Sequence, residues 1–455
     1  MRKLMTWGVW VAVALVGIIA VAAAWVVVYP PELLRVGTGY AAKIVCSNVF
    51  IAGRDADEVL RDDVQAPGHP LLKLVRAEVD LEQGLVKTAL LGFVAPSTAL
   101  HRTGLGCATL SISAIEAARG RSAPPAEAAS VDMAAAWPEG DAVPENDPRL
   151  QAILSDADLL GPSARAVVVV KDGRIVGEAY GPGFNADTPL LGWSMTKTVT
   201  AALIGILKGE GRIDESATNL LPEWNGDSRA EISLSDLLAM ESGLSYNESY
   251  GDVTDVTRML YLEPDMGAYA ASLPPAAEPG TRFNYSSGET VLISRYWMSR
   301  FSDRETALAY PREALFDVIG MGSAVLEADP NGTFVGSSYL YATARDWARF
   351  GLLIAENGRW SGRQLIDPSI MARIFEPAAV SNGAYTRGQA WQNGPGDKDS
   401  SFSLPEETLW MLGHDGQSIA VIPSERLVVV RLGLTPRRLD YRPQRLLQAV
   451  RDALR

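Results

Sequence analysis

The chain has 455 residues, 47% of them hydrophobic, and a formal net charge of −13. That length is enough for two or three domains with large hydrophobic cores. The acidic balance argues against nucleic acid as a partner, because a phosphate backbone attracts basic surfaces.

The first predicted element is an apolar helix at the N-terminus. Arg2 and Lys3 precede an uncharged stretch over residues 5–29. At about 1.5 Å per residue, this helix exceeds the ~30 Å hydrocarbon core of a bilayer. Residues 1–30 are therefore predicted to be a single-pass anchor in the inner (cytoplasmic) membrane, with the remaining chain on the periplasmic side. A signal peptide cleaved near residues 20–22 is the alternative, although such signals have a shorter apolar region of roughly 7–15 residues.

Residues 31–115 are predicted to form a small β-rich unit. Residues 74–81 alternate between apolar and polar side chains, and residues 85–94 form a second strand candidate. The dipeptide Gln83-Gly84 between them is typical of a turn. No catalytic motif is found in this unit.

The chain's only two cysteines, Cys46 and Cys107, both fall in the small unit. In an oxidising compartment they are expected to form a disulfide, with two buried thiols as the alternative. His69 and His101 lie in the same unit, but no third ligand accompanies them, so no metal site is predicted.

Residues 116–147 are predicted to be a linker or an extended arm. They are rich in alanine, proline and glycine, above all at residues 123–126 and 137–140. The remaining segment, residues 148–455, is predicted to be the catalytic domain.

The catalytic domain begins with a predicted β-hairpin. Two apolar runs, residues 166–170 and 175–180, flank the dipeptide Asp172-Gly173. Asp-Gly between strand candidates is a strong signal for a tight hairpin turn.

A Ser-x-x-Lys pair follows the hairpin. Residues 192–197 read Gly-Trp-Ser-Met-Thr-Lys and precede an apolar run with helical spacing. Ser194 is predicted to be the first residue of a buried helix, and the Lys197 amine, three residues on, lies on the same face. A serine hydroxyl is a poor nucleophile until a base takes its proton, and a desolvated lysine can be that base. Alone the pair is weak evidence, since a helix cap followed by a surface lysine has the same sequence.

A polar and aromatic loop comes next. Residues 234–240 predict a short helix that stops at Ser242-Gly243. The stretch that follows, residues 244–252, includes Tyr250 and mixes polar with aromatic side chains. It is interpreted either as a mobile surface loop or as a loop that covers a substrate.

Two further motifs complete the pattern. Tyr285-Ser286-Ser287 follows the turn-like Pro279-Gly280, and His414-Asp415-Gly416 precedes a strand-like run at residues 419–422. Ser-x-x-Lys, Tyr-x-Ser and His-x-Gly in this order resemble the three-motif active site of the class C β-lactamase and penicillin-binding-protein-like serine hydrolases. The loop and the Tyr motif are most similar to the 6-aminohexanoate-dimer hydrolase and esterase branch of that family.

The resemblance covers roughly residues 148–455 and implies both a fold and an activity. The implied fold is α+β, of the β-lactamase/transpeptidase-like type, with an antiparallel sheet flanked by helices and a helical subdomain. The implied activity is that of a serine hydrolase for ester or linear amide bonds. Its partner would be a small ester, amide or peptide substrate, and no cofactor is implied.

The resemblance also implies roles for individual residues. Ser194 would attack a carbonyl carbon and form an acyl-enzyme, while Lys197 and Tyr285 share the proton transfers. The nearby ammonium is expected to lower the pKa of Tyr285 and so favour its phenolate. The oxyanion hole would comprise the main-chain N–H groups of Ser194 and Gln417. The remaining substrate contacts are predicted to be Ser287, His414, Gly416 and Tyr250. Two of them have an alternative role: Ser287 could instead orient the Lys197 side chain, and His414 could instead hold Tyr285.

Two departures from the β-lactamase pattern favour an esterase or amidase. Ser287 and His414 stand where many β-lactamases of this type have Asn and Lys. The alternatives are a β-lactamase or D-Ala-D-Ala carboxypeptidase and, from another class, a non-hydrolytic penicillin-binding sensor or cell-wall scaffold. The sequence lacks the motifs of three other protein classes. It has no Gly-x-Ser-x-Gly of an α/β-hydrolase, no His-Glu-x-x-His of a zinc protease and no Gly-x-Gly-x-x-Gly of a dinucleotide-binding domain.

Overall fold

The structure is a computed structural model that describes residues 2–123, 132–395 and 401–455. It begins with helix α1 (Arg2–Val28), most of whose described side chains, such as Trp10 and Ile18, are exposed. Its Trp10–Val28 portion is long and apolar enough to cross a membrane. Residues 29–31, which include two prolines, separate α1 from helix α2.

The small unit packs α2 (Glu32–Phe50) against a four-stranded antiparallel sheet in the order β1-β2-β3-β4. The strands are β1 (Val75–Asp80), β2 (Leu85–Leu90), β3 (Val94–Arg102) and β4 (Gly106–Leu110). The flanking short helices are α3 (Ala56–Val59) and α4 (Ile115–Arg119). Helix α2 was not predicted, because its glycine, threonine and valine residues have low helix propensity. Burial of residues such as Ala41 and Val45 outweighs that propensity.

The predicted strand at residues 85–94 is wrong in its extent. The structure divides it into β2 and the start of β3. Leu91 and Gly92 between them have φ values of 54° and 84°, a left-handed conformation that reverses the chain. The apolar run Leu90 to Phe93 continues through this turn, so hydrophobic periodicity did not mark it.

Residues 116–119 of the predicted linker belong to helix α4 of the small unit, whereas residues 132–147 form an extended arm on the catalytic domain. Its parallel strands are β5 (Asp132–Ala136) and β6 (Gly140–Ala142). Trp137 between them is buried, and its ring lies against the Arg349 guanidinium at 5.6 Å. Residues 124–126 of the predicted linker lie outside the described residues.

A five-stranded antiparallel sheet is the centre of the catalytic domain, in the order β14-β15-β16-β7-β8. Its strands are β7 (Ala164–Lys171), β8 (Arg174–Tyr180), β14 (Leu409–Gly413), β15 (Gln417–Ile422) and β16 (Leu427–Gly433). The predicted hairpin is confirmed, since β7 pairs with β8. Asp172 and Gly173 both have positive φ, 50° and 80°, as a type I′ turn requires.

Helices cover both faces of this sheet. One face packs against α5 (Gln151–Leu154), α6 (Ala157–Leu160) and α15 (Pro443–Leu454). The other packs against α13 (Ala344–Ala355) and the main core.

The chain between β8 and β14 contributes a helical subdomain and short strands. Its other helices are α7 (Thr196–Gly209), α8 (Leu234–Leu238), α9 (Asp255–Tyr261), α10 (Met266–Ser272), α11 (Ser287–Met298), α12 (Arg304–Pro311) and α14 (Pro368–Phe375). Its strands are β9 (Leu190–Leu191), β10 (Val325–Leu326), β11 (Leu340–Ala342), β12 (Arg359–Trp360) and β13 (Arg363–Gln364). The predicted short helix at residues 234–240 corresponds to α8. The predicted α+β arrangement, an antiparallel sheet flanked by helices with a helical subdomain, is confirmed.

Buried polar contacts fasten the small unit to the catalytic domain. Glu327, which follows β10 and is fully buried, accepts a hydrogen bond from Lys43 Nζ of α2 at 2.5 Å. Its other oxygen accepts from Ser47 Oγ at 2.9 Å and from the Cys107 N–H at 2.7 Å. Burial lowers the pKa of Lys43, and the Glu327 carboxylate opposes that shift. The two units therefore share one polar cluster inside their interface.

The structure places the sulfur atoms of Cys46 and Cys107 within bonding distance of each other, and the disulfide expected from the sequence stays a prediction. Cys46 lies in α2 and Cys107 in β4, so a disulfide would join the helix of the small unit to its sheet. Both side chains are buried.

Candidate active site

Ser194 lies in a tight turn directly before helix α7. The turn is a single 3-10 turn, Trp193–Met195, and the α-helix begins two residues later than predicted, at Thr196. Trp193 has φ of 50°, a conformation that is uncommon for a bulky residue and is typical of functional sites. The turn leaves Ser194 half-buried, while its neighbours on both sides are buried.

Lys197 is buried and contacts Ser194. Its side chain is only 1% exposed, and its Nζ lies 3.2 Å from Ser194 Oγ. It also donates to Ser287 Oγ at 3.1 Å and to the Ser337 carbonyl oxygen at 3.0 Å. All three partners are uncharged, so burial lowers the pKa of Lys197 to about 8. Near that pH a large fraction of Lys197 is neutral and can accept the Ser194 proton.

Tyr285 is a further neighbour of Lys197. The Lys197 ammonium faces the Tyr285 ring, 4.8 Å from its centroid, and Tyr385 and Trp391 pack around the same ring. Burial raises the pKa of Tyr285 well above its ordinary value, and Glu248 adds to the rise. A hydrogen bond with Ser194 opposes the shift only in part.

The expectation of a Tyr285 phenolate is therefore wrong. Desolvation disfavours the charged phenolate, and the carboxylate of Glu248 disfavours it further. Tyr285 is a neutral phenol at physiological pH and can donate a proton beside Ser194.

Glu248 is a site residue that sequence reasoning missed. Its Oε1 accepts a hydrogen bond from Ser287 Oγ at 2.6 Å, and its Oε2 accepts from the Ser287 N–H at 2.8 Å. Burial raises the pKa of Glu248, and Lys197 is the largest opposing influence. The carboxylate also lies at the N-terminal end of α11, where the helix dipole favours negative charge. The loop 244–252 had been noted as polar, and an acidic residue within it was the available signal.

Ser287 bridges the two charged side chains. Its hydroxyl accepts from Lys197 and donates to Glu248, at 3.1 and 2.6 Å. One of the alternatives predicted for Ser287, that it orients Lys197, agrees with this geometry. Contact of Ser287 with a substrate stays a prediction.

His414 lies with two other rings at one edge of the site. Its imidazole packs against Tyr250, with ring centroids 4.6 Å apart, and against Trp193 at 5.5 Å. The structure thus brings His414 and Tyr250, both predicted substrate contacts, next to the turn that carries Ser194. The loop 244–252 folds over the site at this edge, through Glu248 and Tyr250.

Gly416 belongs to the turn between β14 and β15, and Gln417 is the first residue of β15. Gly416 has φ of 84°, and its carbonyl oxygen accepts from Arg431 Nη1 at 2.9 Å. A Cβ atom at Gly416 would meet Arg431 Nη1 at 3.0 Å, so packing inside the domain already favours glycine there. The Gln417 side chain is buried and bonds Gly433 of β16 through both of its polar atoms. A substrate contact at Gly416 stays a prediction.

The end of the edge strand β14 approaches the Ser194 turn directly. A Cβ atom on Gly413, the last residue of β14, would lie 2.2 Å from the Gly192 carbonyl oxygen. Gln417 is the residue opposite Gly413 in the β14–β15 ladder. The predicted oxyanion hole, with N–H groups from Ser194 and Gln417, stays a prediction.

The chain is similar to several known proteins. A family model described as Beta-lactamase matches residues 161–449. The 6-aminohexanoate-dimer hydrolase of Paenarthrobacter ureafaciens is 25% identical over 324 residues, covering 65% of this chain and 76% of that relative.

Two solved structures show the same fold. A putative 6-aminohexanoate-dimer hydrolase from Bacillus anthracis has a TM-score of 0.54 and 24% identity, covering 64% of this chain and 79% of that one. A family VIII carboxylesterase has a TM-score of 0.52 and 17% identity, covering 68% of this chain and 99% of that one. The resemblance and the fold inferred from the sequence motifs are confirmed.

Proposed function

Because this chain belongs to the beta-lactamase family and is a serine hydrolase acting on ester or amide bonds, we propose that Ser194 is its nucleophile and forms an acyl-enzyme. The observation that carries the proposal is the 3.2 Å contact between Ser194 Oγ and a buried Lys197 whose pKa is lowered to about 8. A nucleophile beside an activating base is the arrangement that covalent catalysis requires.

Acylation begins with proton transfer from Ser194 to neutral Lys197. The serine oxygen then attacks the substrate carbonyl carbon, and main-chain N–H groups stabilise the negative charge on the carbonyl oxygen. We assign the first of these to Ser194 and the second to the start of β15, for which Gln417 is the candidate. As the bond to the leaving group breaks, Tyr285 gives that group a proton and regains one from the Lys197 ammonium. Deacylation follows the same proton steps in reverse, with water in place of the leaving group.

Small esters and linear amides are proposed to be better substrates than β-lactams. Ser287 replaces the Asn usual in β-lactamases, and its hydroxyl is engaged between Lys197 and Glu248. His414 replaces the usual third-motif Lys, so the carboxylate of a β-lactam lacks a strong point charge to hold it.

The protein is further proposed to be anchored in the inner membrane, with the catalytic domain on the periplasmic side. Helix α1 supports this, since its Trp10–Val28 portion suffices to cross a bilayer and basic residues precede it. A Cys46–Cys107 disulfide would also be suited to an oxidising compartment.

The test compares kcat/KM of the full chain for p-nitrophenyl butyrate, a 6-aminohexanoate dimer and nitrocefin. We expect the ester or the linear amide to be hydrolysed fastest. Hydrolysis of nitrocefin at least tenfold faster than both would favour a β-lactamase instead. A burst of product followed by a stall with every substrate would favour a penicillin-binding sensor.

A further inference from the structure

An apolar cavity lies beside the site, between the small unit and the catalytic domain. Its volume is about 410 Å³, within the ~300–1,000 Å³ range of small-molecule sites. Towards Ser194 it is bounded by the rings of Trp193, Tyr250 and His414. These are the three rings that pack together at the edge of the catalytic cluster.

The opposite wall of the cavity comes from the small unit. It is lined by aliphatic side chains of α2 and of the segment before β1: Leu33, Leu34, Val36, Leu71, Leu72 and Val75. All of them precede residues 161–449, the part of the chain that the family model matches. This wall is therefore an addition to the catalytic domain, held in place through Lys43 and Glu327.

The cavity also lies close to the membrane-spanning helix. Leu33 is in the first turn of α2, and α1 ends at Val28. Because a residue spans at most ~3.6 Å of extended chain, Leu33 lies within about 18 Å of the end of α1. Leu33 and Leu71 are each 41% exposed although they line the cavity.

Further apolar side chains are exposed on the small unit. Leu74, Leu91 and Phe93 are exposed, and the Leu91 N–H bonds the Leu74 carbonyl oxygen at 2.8 Å. Exposed apolar clusters of this kind mark contact with a ligand, a partner or a membrane.

We propose that the cavity binds the hydrocarbon chain of the substrate, so that the substrate is an amphiphilic ester or amide drawn from the bilayer surface. The inference rests on the proposed function, because it places the scissile carbonyl at Ser194. The alkyl chain would pass Trp193 and His414 and lie against Leu34 and Leu72. The reaction is ordinary hydrolysis: the acyl bond to the leaving oxygen or nitrogen breaks, and water supplies both the hydroxyl and the proton.

The test uses the full chain in phosphatidylcholine nanodiscs. One series of p-nitrophenyl esters runs from acetate to decanoate, and a second series of alkyl acetates lengthens the leaving group instead. Each methylene transferred from water to an apolar site contributes up to roughly fourfold in affinity. We expect kcat/KM of the wild type to rise at least tenfold from the shortest to the longest member of one series.

Two variants test the cavity itself. Leu72→Trp and Leu34→Trp each place an indole in the cavity and should reduce the rise with chain length to less than threefold. Leu81→Asp is the matched control, since Leu81 is exposed on the same unit and does not line the cavity. The rate of fluorophosphonate labelling identifies the variants whose site remains folded. If both tryptophan variants fail to fold, the dependence of wild-type kcat/KM on chain length alone tests the inference.

The outcomes separate this inference from the proposed function. The inference alone would be overturned if the enzyme hydrolyses short esters and is labelled at Ser194, but its kcat/KM does not rise with chain length in either series. The inference would also be overturned if both tryptophan variants are labelled at Ser194 and their kcat/KM rises with chain length as much as that of the wild type. No hydrolysis of any ester, together with no labelling at Ser194, would overturn both.

Discussion

The carboxylate of Glu248 is expected to set the pH at which the site becomes active. Glu248→Gln removes the negative charge but keeps an oxygen that can accept from the Ser287 hydroxyl. Because the Glu248 charge raises the pKa of Lys197, its removal should leave Lys197 neutral at lower pH. The acidic limb of the activity profile should therefore move to lower pH.

The size of the shift follows from the distances in the site. Lys197 Nζ and Glu248 Oε1 lie 3.1 and 2.6 Å from the same Ser287 Oγ, so they are within about 5.7 Å of each other. At an effective dielectric constant of ~20, two unit charges at that distance interact by about 3 kcal/mol. That energy corresponds to about 2 pKa units. The Lys197 pKa, which is about 8 in the wild type, would fall by that amount.

The assay is kcat/KM for p-nitrophenyl butyrate between pH 5.5 and 9.5. In the wild type, activity should rise with pH through about 8, because only neutral Lys197 is a base. In Glu248→Gln, the ratio of activity at pH 6.5 to that at pH 9 should increase about twentyfold. Glu278→Gln, at an exposed position, makes the same change of charge and should leave the profile unchanged. An unshifted acidic limb in Glu248→Gln would refute the coupling to Lys197.

Three other perturbations test separate parts of the account. Tyr285→Phe should slow the hydrolysis of a linear amide at least tenfold more than that of a p-nitrophenyl ester, because an amine leaving group needs a proton and p-nitrophenolate does not. Glu327→Gln should lower the free energy of unfolding by about 3–5 kcal/mol, as measured by denaturant titration, since it leaves Lys43 buried without its charged partner. The double substitution Cys46→Ala and Cys107→Ala should lower the free energy of unfolding by about 4 kcal/mol, according to the loop-entropy relation for a separation of 61 residues.

A different result would contradict each of these three predictions. If Tyr285→Phe slows the hydrolysis of ester and amide equally, Tyr285 is not the proton donor to the leaving group. Glu305→Gln, at an exposed position, is the control for Glu327, and equal stability of the two variants would contradict the role given to the buried pair. Two reactive thiols in denatured wild-type protein isolated from the periplasmic face would contradict the disulfide.

Local signals predicted much of the catalytic domain. The Asp172-Gly173 hairpin could be found because its turn demands positive φ at both residues. Ser194 and Lys197 could be paired because helical spacing alone brings them together. The α+β fold was implied by the family resemblance that the three motifs carry in their order.

The sequence did not reveal features that depend on tertiary contacts. Helix α2 is stable because one face is buried against the sheet, which its own helix propensity does not indicate. Glu248 reaches Ser287 from a loop whose path no periodicity describes. The sign of the pKa shift at Tyr285 depends on burial and on that same carboxylate, so a nearby lysine alone predicted the wrong direction.

The most direct test of the central claim is labelling with a fluorophosphonate, followed by peptide mapping. Wild-type protein should carry a single adduct on the peptide that contains Ser194, and Ser194→Ala should carry none. Ser302→Ala, at an exposed serine, should label like the wild type. Labelling of Ser194→Ala at the wild-type rate, or an adduct mapped to another residue of the wild type, would contradict Ser194 as the nucleophile.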